Sequence, residues 1–423
     1  MSILRLPLLR LYHHPLLLFI LSAAVAYSVG LAMITSGDAV AIRSVDGIDR
    51  LGRGLQESGV LSFYPNRLET VLRGPVYPAV VAGAMVAGET LYPFLLLLFH
   101  AIFHGLTVLC VVRLVRELSS GGSDVRSDDR SDRRAVIAGL IVAFHPLLLM
   151  YAGRAMIEPL SILLFTAAML AAVRAARHGR AGDFASLGLL IGLAALTKGV
   201  FLVLLILPLL VFLFRDRAVS VRRAGVKYAA TLLLALLVIG PWTWRNHYVS
   251  GSIVPVQILD GVNFAVGDHL AEHWGASPLA YGPIVNGFPY PDFRGTSVDM
   301  MAVPAGVAVA YDREMRARAL ERYRAEPTFL LKKLALQSVT FWGLWSSLTA
   351  TLLAGGMQVV LLLLFLWAGH RIRRDGGWRD RRLIPFWSVW LYVLPHLPLF
   401  AIGRYSVVLI PTMIAVVASS KRR

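Results

Sequence analysis

Three aspartates follow the first apolar stretch of the chain, where a carboxylate could act as a base. Asp38, Asp46 and Asp49 come directly after an uncharged window at residues 11–37. A partly buried carboxylate that its neighbours keep ionised can accept a proton from an attacking hydroxyl group. The alternative is structural, because aspartate is also a favoured N-cap for a helix over residues 50–57. The residues alone leave both interpretations open.

Basic residues stand at the ends of several later apolar segments. Arg73 precedes Gly-Pro-Val-Tyr-Pro, Lys198 lies within Leu-Thr-Lys-Gly, and Arg404 lies within Gly-Arg-Tyr. A fixed cation, especially one beside the amide groups of a helix start, is suited to bind a phosphate. The alternative for each residue is that its long side chain anchors a helix at the level of the lipid headgroups.

Three further charged residues lie at comparable positions. Arg154 and Glu158 are four residues apart, a spacing that forms an ion pair if both lie on one helix. Glu158 could equally bind a sugar hydroxyl or position an acceptor. Arg245 follows Pro-Trp-Thr-Trp, which is also an ordinary signature of a membrane interface. We treat these three as candidate substrate-positioning residues beside their structural alternatives.

Few residues could bind a metal ion. The pairs Asp268-His269 and Glu272-His273 have a helical i, i+4 spacing that is compatible with a divalent metal, but acids and histidines in loops are far more often solvated. The single cysteine, Cys110, excludes an intramolecular disulfide and a cysteine-based metal cluster. We therefore predict no metal site and no cofactor.

The composition predicts the elements that must position these residues. Apolar residues make up 57% of the 423 residues and charged residues only 16%, which excludes an ordinary soluble fold. The predicted fold class is an all-α polytopic membrane protein with about ten transmembrane helices, each near the length that a span requires. The uncharged windows lie at residues 11–37, 90–112, 135–153, 159–173, 184–197, 199–214, 228–244, 334–370, 383–403 and 405–420.

The distribution of charge predicts the orientation in the membrane. With both termini in the cytoplasm, the segments on that side hold 25 Lys and Arg against 9 acids, and the opposite side holds 17 against 16. This is the positive-inside bias. It places the candidate site residues at the outer ends of helices. The net charge of +17 does not indicate nucleic-acid binding, because the basic residues are not gathered on one soluble face with aromatic platforms.

The windows divide the chain into three parts. Residues 1–246 form a predicted seven-helix membrane module that includes a first outer loop at 35–89. Within this loop, residues 74–88 are apolar but too short for a simple span, which favours an interfacial helix. Residues 247–333 form a second outer loop, and residues 334–423 form a C-terminal region of three membrane helices.

In their order along the chain, these elements resemble the lipid-dependent glycosyltransferases of the C-type (GT-C) fold. The resemblance is greatest to the branch that contains the protein O-mannosyltransferases and the aminoarabinose transferases, and it covers nearly the whole chain. It is carried by an acid after the first helix, Arg73 with Pro75, Tyr77 and Pro78, Gly153 with Glu158-Pro159, Leu-Thr-Lys-Gly at 196–199, Pro-Trp at 241–242, the stretch 314–342, and Arg404-Tyr405 before Pro411.

The resemblance implies a membrane enzyme that transfers a sugar, with inversion, from a polyprenyl-phosphate donor to a hydroxyl of a glycan, lipid or protein. The transfer would take place on the extracytoplasmic face of a bacterial plasma membrane. It implies an aspartate as general base and a donor phosphate bound by Arg73, Lys198 and Arg404. Substrate positioning would fall to Tyr77, Arg154, Glu158 and Arg245. A lipid donor explains the lack of a nucleotide-binding signature.

Two questions stay open from the sequence. Ungapped alignment to the family places Ser44 at the position of the base, so distance favours Asp46 and the Ser-Gly-Asp context favours Asp38. The rival function is a transporter or flippase of lipid-linked sugars, which would also need many helices and membrane charge. Transporters often carry inverted repeats, and the sequence shows no such repeat.

Separate Asp38→Asn and Asp46→Asn variants should identify the base. Loss of a general base typically slows a reaction by about 10²- to 10⁴-fold, so one variant should fall by this amount and the other should not. The measurement is the rate of sugar transfer by the purified variants. Transfer at the parent rate by a protein that carries both substitutions would exclude either aspartate as the base.

Overall fold

The computed structural model of the chain describes residues 15–37, 47–64, 68–119, 125–214, 221–272, 300–345 and 348–420. All regular secondary structure in these ranges is helical, which confirms the predicted all-α class. Asp38 and Asp46, the two candidates for the base, lie outside the described residues.

Nine α-helices lie in the described part of the first half of the chain. In chain order they are α1 (Pro15–Thr35), α2 (Ile48–Ser58), α3 (Val76–Met85), α4 (Tyr92–Ser119), α5 (Val125–Ala143), α6 (Pro146–Ala152), α7 (Glu158–His178), α8 (Ala181–Thr197) and α9 (Leu207–Leu213). A 3₁₀ segment, Gly199–Ile206, joins α8 to α9.

The second half begins with a long helix and continues with helices that were predicted partly as loop. They are α10 (Val221–Ser250), α11 (Asp260–Glu272), α12 (Ala305–Ala325), α13 (Pro327–Gly343), α14 (Leu348–Gly376), α15 (Leu383–Val393) and α16 (Gly403–Ser419). The predicted boundary between residues 333 and 334 falls inside α13.

Within the described ranges, five helices are long and apolar enough to cross a membrane: α1, α4, α7, α10 and α14. A sixth span results if α5 and α6 are taken together, although they meet at an angle of 54°. Pro146 accounts for the bend, because proline cannot donate a backbone hydrogen bond to the preceding turn. The other predicted spans coincide with shorter apolar helices, so the total of ten stays a prediction.

The predicted window 334–370 is not one helix in the structure. It is divided between α13, which ends at Gly343, and α14, which begins at Leu348. Two hydrogen bonds fix the chain where α13 ends: Gly403 N donates to Leu344 O at 2.8 Å, and Trp345 N donates to Thr351 Oγ1 at 3.1 Å. Hydropathy alone does not detect this break, because residues on both sides are apolar.

The helix α7 shows how local sequence sets the position of a charged residue. It begins with Glu158 in the first turn followed by Pro159, and both residue types are favoured at a helix start. It ends at Gly179, whose φ of 63° suits glycine, with Arg177 and His178 in the last turn. Glu158 is thereby held at one end of a membrane helix whose sides are buried.

Close backbone contacts place the turn between α6 and α7 against α1. A Cβ atom built on Gly30 would lie 3.1 Å from the Cα atom of Gly153. Small residues at such crossings let helices approach closely in membranes. The turn that carries Arg154 is therefore fixed against the first helix.

A buried ion pair joins α11, α12 and α13. The Lys333 ammonium donates to Asp268 Oδ1 at 2.6 Å, to Tyr323 Oη at 2.7 Å and to Phe264 O at 3.0 Å. Burial lowers the pKa of Lys333 to about 8, whereas Asp268 opposes this shift, so the side chain is still largely charged at pH 7. Burial and the Asp268 carboxylate raise the pKa of Tyr323, which keeps its hydroxyl protonated.

Removal of the Lys333 charge should destabilise this unit strongly. Lys333→Met leaves Asp268 as an uncompensated buried charge, which typically costs about 3–5 kcal/mol of the free energy of unfolding. We expect a clear fall in the apparent unfolding temperature of the purified protein. The matched control is Lys332→Met, because Lys332 is exposed on the same helix.

A double variant separates charge from packing. Lys333→Met combined with Asp268→Asn removes both charges and should recover much of the loss. Equal unfolding temperatures for Lys333→Met and Lys332→Met would contradict a stabilising role for the buried pair.

Candidate active site

A buried ion pair between Glu158 and Arg404 forms the centre of the candidate site. Arg404 Nε donates to Glu158 Oε1 at 2.5 Å, and Arg404 Nη2 donates to Oε2 at 3.3 Å. The Glu158 side chain is only 1% exposed, whereas that of Arg404 is 19% exposed. The carboxylate therefore orients a guanidinium whose outer part still reaches the surface of the site.

This pairing differs from the one considered for Glu158 on spacing alone. Arg154 lies in the irregular turn between α6 and α7, and Glu158 opens α7, so the two residues do not share a helix. A helical i, i+4 pair is thus not formed. The partner of Glu158 comes instead from 246 residues farther along the chain.

Lys198 lies next to the segment that carries Arg404. Its Nζ atom is 4.4 Å from the centroid of the Tyr405 ring, in a cation–π contact. The same ring also packs on His396, at 5.1 Å between centroids, and on Phe400, at 6.3 Å. The Leu-Thr-Lys-Gly turn and the Arg-Tyr pair, which the sequence offered as separate motifs, are in direct contact.

The segment that carries Arg73 packs on the same turn. A Cβ atom on Gly74 would lie 2.1 Å from the carbonyl oxygen of Leu196, so only glycine fits there. The amide of Gly74 also donates to Gln257 Oε1 at 3.3 Å. Arg73 itself is half-buried and has no ion pair in the described part of the chain. Arg73, Lys198 and Arg404 are therefore carried by segments that touch one another.

Arg245 binds the segment that precedes Arg73. Its guanidinium binds Glu69 Oε2 at 2.7 Å and Thr70 O at 2.6 Å, and it lies 4.7 Å from the Trp242 ring centroid. These contacts fix the chain that leads into Arg73. Arg245 therefore binds the chain three and four residues before Arg73.

Tyr77 is fully buried and takes part in a hydrogen-bonded chain that the sequence did not indicate. Its hydroxyl lies 3.0 Å from His100 Nε2, and His100 Nδ1 lies 3.2 Å from Ala152 O. A carbonyl only accepts, so Nδ1 carries the proton and Nε2 accepts from the Tyr77 hydroxyl. Tyr77 is therefore joined through His100 to the backbone at the end of α6.

A second histidine of α4, one turn later, also contacts a backbone carbonyl. His104 Nε2 lies 3.2 Å from Ala143 O, a carbonyl at the bend between α5 and α6. The two histidines therefore satisfy carbonyls at both ends of the short helix α6. A signal was present in the sequence, since His100 and His104 are four apart within an apolar window and intramembrane polar residues usually have a specific role.

The described acid after α1 does not cap a helix. Asp49 lies in the first turn of α2, whose N-cap is Gly47 with a φ of 68° and no side-chain cap. The helix predicted over residues 50–57 is confirmed within Ile48–Ser58. Among the described residues, no group of three His, Cys, Asp or Glu side chains could hold a metal ion, and His273 lies outside those residues.

Comparison with known proteins gives a family match and a fold. Residues 73–244 match the model of the family described as dolichyl-phosphate-mannose-protein mannosyltransferase. This segment begins at Arg73 and includes Tyr77, Arg154, Glu158 and Lys198. The match confirms the resemblance to the C-type glycosyltransferases that the motifs indicated. A search of the curated proteins finds no match.

The fold is similar to that of the archaeal oligosaccharyltransferase AglB from Archaeoglobus fulgidus. The structure with an inhibitory peptide and a dolichol-phosphate matches 96% of this chain and 50% of that chain, with a TM-score of 0.54 and 13% identity. The structure tethered with an acceptor peptide containing the NVT sequon gives the same TM-score over 49% of its length. The chain thus spans about half the length of AglB.

A third similar structure is ArnT from Cupriavidus metallidurans bound to undecaprenyl phosphate. It matches 96% of this chain and 77% of that chain, with a TM-score of 0.43 and 15% identity.

Variants of His100 should separate the two hydrogen bonds of the Tyr77 chain. In His100→Asn, the side-chain amide can replace Nδ1 as donor to Ala152 O, but the acceptor for Tyr77 is lost. In His100→Gln, the side-chain oxygen can replace Nε2, but the donor to Ala152 O is lost. Each lost buried hydrogen bond should cost about 1–3 kcal/mol, measured as a lower apparent unfolding temperature.

Tyr77→Phe tests whether the Tyr77 hydroxyl is hydrogen-bonded directly to His100. Combined with His100→Asn, it should cost little more than either substitution alone, because both break the same bond. Combined with His100→Gln, the two losses should add. Additive losses in the first pair would contradict the direct bond between Tyr77 and His100.

Proposed function

We propose that this chain, which has the GT-C fold and carries the mannosyltransferase family match, is a membrane glycosyltransferase. It transfers a sugar from a polyprenyl-phosphate donor to a hydroxyl group of a glycan, lipid or protein outside the cytoplasm. The observation that supports this proposal most directly is the contact among the segments of Arg73, Lys198 and Arg404. Three distant parts of the chain, each of which carries one of these cations, are thereby in contact.

The charges near this place suit the leaving group of such a reaction. Arg73, Lys198 and Arg404 carry three positive charges, and Glu158 carries one negative charge, which leaves a balance of two positive charges. A departing phosphate monoester approaches two negative charges at neutral pH. Cations that are fixed before the reaction stabilise the negative charge as it develops, without a cost of reorganisation.

In the proposed reaction, the acceptor oxygen attacks the anomeric carbon from the face opposite the phosphate. The new carbon–oxygen bond forms while the bond from the anomeric carbon to the phosphate oxygen breaks, and its electron pair stays on the phosphate. The acceptor proton passes to an aspartate, for which Asp46 and Asp38 are the candidates. Attack from the opposite face inverts the anomeric configuration.

The contacts of the remaining candidate residues support the same donor site. Glu158 orients Arg404, Arg245 fixes the chain before Arg73, and Tyr77 is joined through His100 to the turn that carries Arg154. We propose that these residues position the donor site. The outer segment 247–333 and the first outer loop would then recognise the acceptor.

Substitution of Lys198 should reduce transfer strongly. Lys198→Met removes one cation while keeping the length of the side chain, and loss of one fixed stabilising group typically costs about 10²- to 10³-fold in rate. The measurement is sugar transfer by protein in liposomes, with a panel of labelled polyprenyl-phosphate sugars as donors. Arg222→Gln is the matched control, because Arg222 is an exposed cation in a segment that the charge distribution predicts to be cytoplasmic.

The same liposomes distinguish the enzyme from a transporter or flippase. Transfer of sugar without net movement of the donor across the bilayer supports the proposal. Movement of the donor without transfer for every donor in the panel would overturn it. Equal rates for Lys198→Met and Arg222→Gln would exclude Lys198 from the site.

A further inference from the structure

An open cleft lies on the outer segment that follows α1. It has a volume of about 450 Å³, and its lining includes Arg50, Arg53, Glu57, Ser58, Ser62 and Tyr64. This volume lies within the range of ordinary small-molecule sites, roughly 300–1,000 Å³. None of the contacts described for the donor site involves these residues.

The local sequence builds the two walls of the cleft. The helix α2 ends at Gly59, where a φ of 70° reverses the chain and the Gly59 amide donates to Leu55 O at 3.0 Å. The segment that follows Gly59 passes so close to α2 that a Cβ atom on Gly54 would lie 2.6 Å from Ser62 O. The Ser62 hydroxyl donates to Tyr64 O at 2.9 Å, which fixes the backbone that carries the Tyr64 ring.

The side chains provide three kinds of contact. The Arg50 guanidinium lies over the Tyr64 ring, 5.6 Å from its centroid, and has no ion pair in the described part of the chain. Arg53, in contrast, is bound to Glu89 at 2.5 Å and lies 3.9 Å from Glu57. Arg50 can therefore donate hydrogen bonds to a ligand, Glu57 can accept them, and Tyr64 offers part of an aromatic face.

These groups suit a neutral saccharide better than an anion. The lining holds Arg50, Arg53 and Glu57, and Glu89, which lies outside the lining, is bound to Arg53, so these four charges balance. A sugar presents hydroxyl groups that both donate and accept, and its C–H faces pack on the negative face of an aromatic ring. An anion would instead need an excess of positive charge, which the cleft does not provide.

We propose that this cleft binds a neutral saccharide unit of the acceptor. The inference rests on the proposed glycosyltransferase function, and it assigns the class of acceptor. The cleft begins four residues after Asp46, one candidate for the base. Its helix α2 also packs on α3, since a Cβ atom on Gly52 would lie 2.4 Å from Val81, and α3 directly follows Arg73. The cleft is thus joined through α2 and α3 to the segment that carries Arg73.

Binding can be tested without any turnover. The full chain is placed in lipid nanodiscs, because glycoside detergents carry the same chemistry, and saturation-transfer NMR is recorded with maltose, cellobiose and mannobiose as probes. At least one disaccharide should bind the parent protein. Arg50→Ala and Tyr64→Ala should each weaken that binding about tenfold or more, because a hydrogen bond from a charged donor or the aromatic face is lost.

Two further variants control for folding and for position. Tyr64→Phe keeps the ring and should bind within about twofold of the parent. Gln56→Ala changes an exposed residue of the same helix that does not line the cleft, and it should have no effect. Equal loss in Tyr64→Phe and Tyr64→Ala would overturn the role of the ring.

The remaining outcomes separate this proposal from the proposed function. Stronger binding of galacturonate than of every disaccharide, with weakening by salt, would overturn the neutral class. Transfer activity with unchanged acceptor KM in Arg50→Ala would overturn the cleft as an acceptor site while the enzyme stands. A protein that transfers no sugar from any donor could still bind a saccharide and lose that binding in Arg50→Ala. The cleft would then stand as a saccharide site, and both the proposed enzyme and the acceptor role would be overturned.

Discussion

The ion pair between Glu158 and Arg404 is the constraint on which the rest of the candidate site depends. It joins the start of α7 to the start of α16, and the Glu158 carboxylate is almost completely buried. A buried carboxylate without a partner would cost several kcal/mol, so the pair holds these two helix ends together. The position of Arg404 then determines that of Tyr405, and Tyr405 in turn contacts Lys198.

Around this pair, each of the neighbouring segments is fixed by polar contacts to the backbone. Arg245 binds the carbonyl of Thr70, and His100 binds the carbonyl of Ala152. Irregular backbone is tolerated near a membrane only where its polar groups find partners inside the protein. These carbonyls lie three residues before Arg73 and two residues before Arg154, so the contacts that fix the fold also fix the segments that carry these two cations.

Hydropathy and charge were sufficient to predict the class of fold and the helix ends that carry the candidate residues. Arg73, Lys198 and Arg404 were selected because charge is costly near a membrane, and the structure brings their segments together. The partner of Glu158 was not predictable, because Arg154 is nearer in sequence and the pairing with Arg404 depends on the packing of helices. The end of α13 at Gly343 was missed for a related reason, since the chain after it is fixed by contacts with Gly403 and Thr351 rather than by a polar sequence.

The most direct test of a shared phosphate site is the binding of undecaprenyl phosphate to the purified protein, measured by native mass spectrometry. If the cations surround one phosphate, Arg73→Gln and Lys198→Gln should each weaken binding by about tenfold or more, since each removes a charge-assisted contact. The double variant should bind no more tightly than either single variant, and Arg222→Gln should bind as the parent does. Binding that is unchanged in both single variants would contradict a shared phosphate site.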